Sequence, residues 1–171
     1  MFFKYYRAKL SFLFYIFIVL FILFFIVFAI RQRGYFVTYQ GSNSMPKGFY
    51  LVRPVHHLTR GNWVVFYPPN KTKAFLLKEQ WLPRSGLMMK IVKGIPGDYV
   101  CKKNGWLWTS TQKIAPIYRE YAPGKLLPNQ PFCGRLRANQ YLLMSTHIKR
   151  SFDGRYFGPV NKKNIIGIVS H

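Results

Sequence analysis

The apolar positions divide the chain into two unlike parts. From Leu10 to Ile30, "LSFLFYIFIVLFILFFIVFAI", 21 consecutive residues carry no charge. At ~1.5 Å rise per residue, a helix of this length crosses the ~30 Å hydrocarbon core of a bilayer. The run is too long for the apolar region of a secretory leader. It also ends in "AIRQRG" rather than in a small-residue cleavage site. It predicts a retained transmembrane anchor over residues 10–30. Beyond it the runs become short and rich in β-branched and aromatic residues, bounded by Pro and Gly. "GFYLVRPV", "NWVVFY", "LMMKIVKGI", "NQYLLMST" and "NIIGIVSH" read as strands. "YVCKKNGWLWTS" reads as a hairpin, with Asn104-Gly105 suited to a type I′ turn. Helical periodicity is weak here, and its best candidate lies around "AFLLKEQWL". The expected fold is mainly β: one N-terminal transmembrane helix, then a compact antiparallel β domain over residues 31–171.

Charge orients the anchor. Lys4, Arg7 and Lys9 precede it, and Arg31 and Arg33 follow closely. The positive-inside rule then favours a cytoplasmic N-terminus over residues 1–9 and an extracytoplasmic domain after the anchor. The whole chain carries 26 Lys+Arg against 4 Asp+Glu, a formal net charge of +22. Such an excess suits a lipid bilayer surface or a nucleic acid, and equally a solvated basic surface. The basic residues are dispersed, and an extracytoplasmic domain meets little nucleic acid, so no nucleic-acid partner is expected.

The same scarcity of acids limits the chemistry. Glu79, Asp98, Glu120 and Asp153 are spread along the chain, which excludes an all-carboxylate metal cage. Two cysteines and four scattered histidines make no zinc site, and no metal or cofactor is expected. Cys101 and Cys133 lie 32 positions apart and form no C-x-x-C motif. They are candidates for one structural disulfide in an oxidising compartment, or for two separate thiols.

Three segments carry candidate chemistry. In "SNSMP", Ser42 and Ser44 read locally as turn residues. In "MMKIVKGIPGD" a lysine sits inside an apolar strand. Lys90 shares a face with Met88 and Val92, and Lys93 shares the other with Met89, Ile91 and Ile95. Pattern alone leaves open which lysine points inward. In "SFDGRYFGPV", Asp153 and Arg155 stand two apart, as a surface ion pair would. A Ser-His-Asp arrangement would have to recruit His147 or the His56-His57 pair, and nothing in their spacing argues for it.

The order of these segments is more informative than any one of them. An anchor, then S-x-S-M-P, then a lysine before G-I-P-G-D, then S-x-D-x-R-Y-F-G resembles the type I signal peptidases. "SMPKGFY", with one residue fewer between Met and Pro than the general secretory enzymes tend to show, and "FYPPN" resemble their conjugative-transfer (TraF-type) branch. The resemblance implies a membrane-anchored serine endopeptidase with a Ser-Lys dyad and a signal-peptidase-like β catalytic domain. By position, Ser44 matches the nucleophile and Ser42 the serine that helps bind the oxyanion. Lys90 matches the general base, Ser151 the serine that orients its ammonium, and Asp153 and Arg155 a structural ion pair. Asp153 touching the lysine is the other possibility. A Ser-Lys pair needs neither histidine nor carboxylate, provided burial pulls the amine down from its ordinary pKa near 10.4. The implied partner is a precursor with small side chains before the cut, of a pilin-like or other conjugation type. The alternatives are a housekeeping signal peptidase and a non-enzymatic, basic, membrane-tethered module of a secretion or conjugation apparatus. The pattern departs from the family in two places. "STHIKR" replaces a G-D-N-type stretch, and Gly154 stands where a second serine is common.

Overall fold

A computed structural model describes residues 2–110, 112–145 and 147–170, with side chains from residue 12 onward. The chain divides into two compact units, Met1–Phe36 and Val37–His171. The first is dominated by α1 (Phe2–Gln32), which starts and ends beyond the apolar run that predicts it. Within α1, Phe12–Gln32 is long and apolar enough to cross a membrane, with a mean hydropathy of 3.3 and its side chains unburied. Met1, at the start of the expected cytoplasmic segment, lies outside the described residues.

The second unit is built from strands. In chain order they are β1 (Phe36–Gln40), β2 (Gly48–Arg53), β3 (Trp63–Phe66), β4 (Met88–Gly94), β5 (Tyr99–Lys103), β6 (Trp106–Thr109) and β7 (Gln112–Pro116). They continue with β8 (Glu120–Ala122), β9 (Lys125–Leu126), β10 (Cys133–Arg135), β11 (Gln140–Met144), β12 (Val160–Asn161) and β13 (Ile165–Val169). Helix α2 (Asn70–Lys78) lies between β3 and β4, and the single turn α3 (Gly154–Phe157) between β11 and β12. The large sheet has the order β1-β2-β13-β3-β4-β11-β12, the small one β10-β5-β6-β7, and β8 and β9 pair alone.

The strand runs legible in the sequence become the central ladders. Trp63–Phe66 faces Ile91–Met88 residue for residue, so β4 has β3 on one side and β11 on the other. A strand flanked on both edges and covered on its faces loses the simple in–out alternation. In β4, Met89 through Val92 are all buried, and Lys93 is the exposed position. Val64, Phe66, Val92, Leu143 and Ile168 pack in one core cluster. Val100, Leu107, Leu136, Leu142 and Met144 form a second, between the two sheets. The hairpin follows its prediction: Asn104 and Gly105 take φ of 52° and 72° between β5 and β6. Cys133 lies directly opposite Cys101 across β10 and β5, and a disulfide joins them.

The helix departs from its expected place. It begins directly after Pro68-Pro69 and stops before Glu79, rather than centring on "AFLLKEQWL". Its end is a Schellman arrangement, with Gln80 at φ 55° and the amides of Gln80 and Trp81 on the carbonyls of Leu77 and Leu76. Those bonds turn Trp81 out of the helix and against Phe75 and Tyr121.

Candidate active site

The serine segment is a turn between β1 and β2. Met45 is buried and anchors it, Ser44 is half-buried, and Ser42 is exposed. Short side chains and backbone groups close the loop on itself. Gln40, buried at the end of β1, donates from Nε2 to the Ser42 carbonyl at 3.0 Å and to Ser42 Oγ at 2.6 Å. Ser42 Oγ and Ser44 Oγ share a hydrogen bond of 2.9 Å. Tyr50 on β2 donates to the Pro46 carbonyl at 2.9 Å. Ser44 Oγ is therefore engaged by Ser42, and among the described residues no hydrogen bond joins it to Lys90 Nζ.

Lys90 lies at the centre of the large sheet, opposite Val64 and 2 % exposed. Burial holds its pKa down to about 8. The Asp153 carboxylate works against that shift, and the Arg155 guanidinium adds to it. Of the two lysines that the strand pattern leaves open, the structure buries Lys90 and exposes Lys93. Lys102 on β5 is also held down to about 8 by burial. It is less enclosed, and its ammonium donates to the Gln130 carbonyl at 2.6 Å.

The Asp153–Arg155 pair is not a surface feature. Both side chains are fully enclosed, at 0 % and 1 % exposure. Arg155 donates Nε to Asp153 Oδ1 at 2.9 Å and a terminal nitrogen to Oδ2 at 3.0 Å. Its other hydrogen bonds go to the carbonyls of Pro116, Lys149 and Ser151. A buried charge pair persists only with good geometry and satisfied surroundings, and this one has both. Among the described residues Asp153 makes no hydrogen bond to Lys90, so its influence there is through its field. Ser151 Oγ is buried without a hydrogen-bond partner in the structure. The bond from Ser151 to the lysine that the family pattern implies is thus not formed here.

Ser145, which no sequence motif singled out, joins the two halves. Its hydroxyl donates to the backbone carbonyl of Ser44, and its amide to Asp153 Oδ2 at 3.1 Å. Through it the serine turn is joined to the ion pair, whose Asp153 carboxylate is the group that acts on Lys90 through its field. Gly154 has a local reason to be glycine. A Cβ there would sit 2.7 Å from the Leu143 carbonyl oxygen and 2.8 Å from Leu142 Cδ1. No group of three or more His, Cys, Asp or Glu side chains able to hold a metal occurs among the described residues.

Comparison with known proteins agrees with the family resemblance. The family described as "Signal peptidase, peptidase S26" matches residues 9–171. The plasmid transfer protein TraF of Escherichia coli is 31% identical over 142 residues, covering 75% of this chain and 77% of that protein. Signal peptidase I V of Bacillus subtilis (strain 168) is 24% identical over 98 residues, 52% of this chain and 58% of the relative. Among solved structures, a signal peptidase I from Enterococcus faecalis V583 aligns with a TM-score of 0.39 at 19% identity. That alignment covers 68% of this chain and 99% of the other.

Proposed function

The chain belongs to the signal peptidase (peptidase S26) family, and on that premise we infer that it is a Ser-Lys endopeptidase anchored by α1 in the inner membrane. The observation that carries this reading is Lys90. It is a lysine sealed in the core of the large sheet, with its pKa lowered to about 8 and no acid bonded to it among the described residues. An ammonium is costly in such a place, and a neutral amine is the form that can accept a proton.

In the reaction, Ser44 Oγ attacks the carbonyl carbon of the scissile bond while the Lys90 amine takes the hydroxyl proton. Ser42 Oγ turns from Ser44 to the oxyanion, beside the Ser44 backbone amide. Electrostatic donors of this kind are worth about 10²–10³-fold each. The tetrahedral adduct collapses to an ester on Ser44 as the leaving amine takes the proton from Lys90. The Lys90 amine then deprotonates water, which attacks the ester, and the Lys90 ammonium returns the proton to Ser44 Oγ as the acid product leaves. Ser151 Oγ, buried and otherwise unpaired, is the hydroxyl available to orient the lysine.

The anchor places this chemistry at a bilayer. Phe12–Gln32 supports it, as do the outward faces of β1 and β2, where Val37, Tyr39, Leu51 and Phe49 (79% exposed) present apolar surface. Residues 1–9 are then cytoplasmic, residues 10–30 span the membrane, and residues 31–171 face the periplasm, where the Cys101–Cys133 disulfide is stable. The likeness to the E. coli plasmid transfer protein supports a pilin-like precursor of conjugation as substrate. The likeness to the Bacillus signal peptidase favours a general secretory precursor as the second reading.

The test compares wild type, Ser44→Ala and Lys90→Met in membranes, on a pilin-like precursor and on a general secretory precursor. Both variants are expected to lose at least about 10³-fold in processing, and wild type to prefer the pilin-like substrate. Processing by Ser44→Ala at the wild-type rate would overturn the assignment.

A further inference from the structure

The two sheets enclose a cleft of 690 Å³ that no step of the mechanism uses. Its lining includes Lys93 on β4, Trp106 on β6, Ala115 on β7, Met144 on β11, and Ile148 and Lys149 from the segment after β11. Three features define what fits. The lining is mostly apolar. Lys93 and Lys149 are exposed and have no acid partner among the described residues. None of the four acids borders the cleft: Glu79 accepts from Tyr121, Asp98 pairs with Arg60, Asp153 pairs with Arg155, and Glu120 lies on β8. Unpaired lysines are ordinary on a chain of charge +22, but here two of them border one apolar recess.

The third feature is β7. It is the end strand of the small sheet, with β6 on one side; on its other edge the Pro116 carbonyl accepts from Arg155, and the edge before Pro116 carries no strand among the described residues. A free strand edge is a template for an extended peptide, with main-chain hydrogen bonds for affinity and neighbouring pockets for specificity. The cleft also adjoins the proposed site. Ser145, in its lining, is the residue that holds the Ser44 carbonyl.

We propose that this cleft receives an extended, acidic segment of the mature part of the precursor, adding to the edge of β7 with its carboxylates between Lys93 and Lys149. The proposal rests on the signal peptidase reading, which supplies a polypeptide substrate. Under that reading the side chains just before the cut are small, and a methyl group fills little of 690 Å³. The leader's apolar run stays in the bilayer, which leaves the mature side to reach this cleft.

The experiment uses the full chain in detergent carrying Ser44→Ala, so that binding is read without cleavage. The probe is a fluorescent hexapeptide of alternating Val and Asp/Glu, with its Asn/Gln counterpart as reference, followed by anisotropy. The acidic peptide is expected to bind at least tenfold more tightly than its amide form. That preference should fall below twofold in Lys93→Gln/Lys149→Gln and persist in Lys71→Gln/Lys78→Gln on α2. Equal binding of the two peptides, or a preference that survives loss of Lys93 and Lys149, overturns the proposal. Neither result touches the dyad, whose failure would appear in cleavage by the Ser44→Ala chain.

Discussion

The serine turn and the lysine strand are built by opposite means. The turn around Ser42 and Ser44 is a surface loop, held by hydrogen bonds among Gln40, the two serines and Tyr50. Lys90 sits in the buried core of the large sheet, where Val64, Val92 and Leu143 are all fully buried. A nucleophile must be reached and aimed, which a small polar loop achieves at little structural cost. A lysine base must be kept from its charged state, which requires taking it out of water. In the proposed roles, function and stability therefore coincide at the serine and conflict at the lysine.

The sharpest way to break this contrast lies at the ion pair. Asp153→Asn leaves the Arg155 guanidinium buried without its counter-charge. The expected loss is about 3–5 kcal/mol in a denaturant titration. The substitution also removes the one charge that holds the Lys90 pKa up, so in any folded fraction that pKa drops below 8. Unchanged stability would mean that the pair is wetter than its burial indicates.

Next in size is Lys90→Met. In the folded chain the Lys90 pKa is about 8, against 10.5 for the ordinary side chain. The folded state thus binds the proton more weakly than the unfolded state does. The resulting cost, about 3 kcal/mol at 1.36 kcal/mol per unit, is fully present below pH 8 and relieved as pH rises from 8 towards 10.5. Lys90→Met is expected to stabilise the protein at neutral pH while abolishing processing. Ser44→Ala should abolish processing with stability unchanged within about 0.5 kcal/mol. Thermal unfolding of the two variants side by side measures the difference. A destabilised Lys90→Met would show that the ammonium is paired rather than stranded.

Ser42→Ala is the smaller effect. Loss of one oxyanion donor is expected to lower kcat by about 10²-fold with KM nearly unchanged. Gln40 would lose Ser42 Oγ as an acceptor but keep the Ser42 backbone carbonyl. A change confined to KM would place Ser42 in substrate binding instead.

Much of this was readable in the chain, and the remainder failed for identifiable reasons. The apolar strands β3, β4, β11 and β13 were legible because burial on the sheet demands continuous β-branched and aromatic runs, and β2 because its run is apolar even though Phe49 and Leu51 face outward. The Asn104-Gly105 hairpin was legible because few other residues accept two positive φ angles. Strands β7 to β10 were not, since "QKIAP", "EYA", "KL" and "CGR" have no alternation of their own. They exist through partners elsewhere in the chain. Which of Lys90 and Lys93 points inward was unreadable from the strand pattern, because both share faces with apolar residues; only the family resemblance singled out Lys90. The answer came from β3 and β11 on either side and the core packed over that face. Ser145 carried no motif, and its role depends on a contact 101 residues away in sequence. Gly154, a departure from the family pattern, is explained by the Leu143 carbonyl that lies where a side chain would begin.

The central claim is that Lys90, neutral, takes the proton from Ser44. The direct measurement is kcat/KM for precursor cleavage between pH 6 and pH 10. The account predicts a rate that rises with pH through a single ionisation near 8, as Lys90 loses its proton, and then levels. A profile that is flat across this range, or that falls through pH 8, would contradict it.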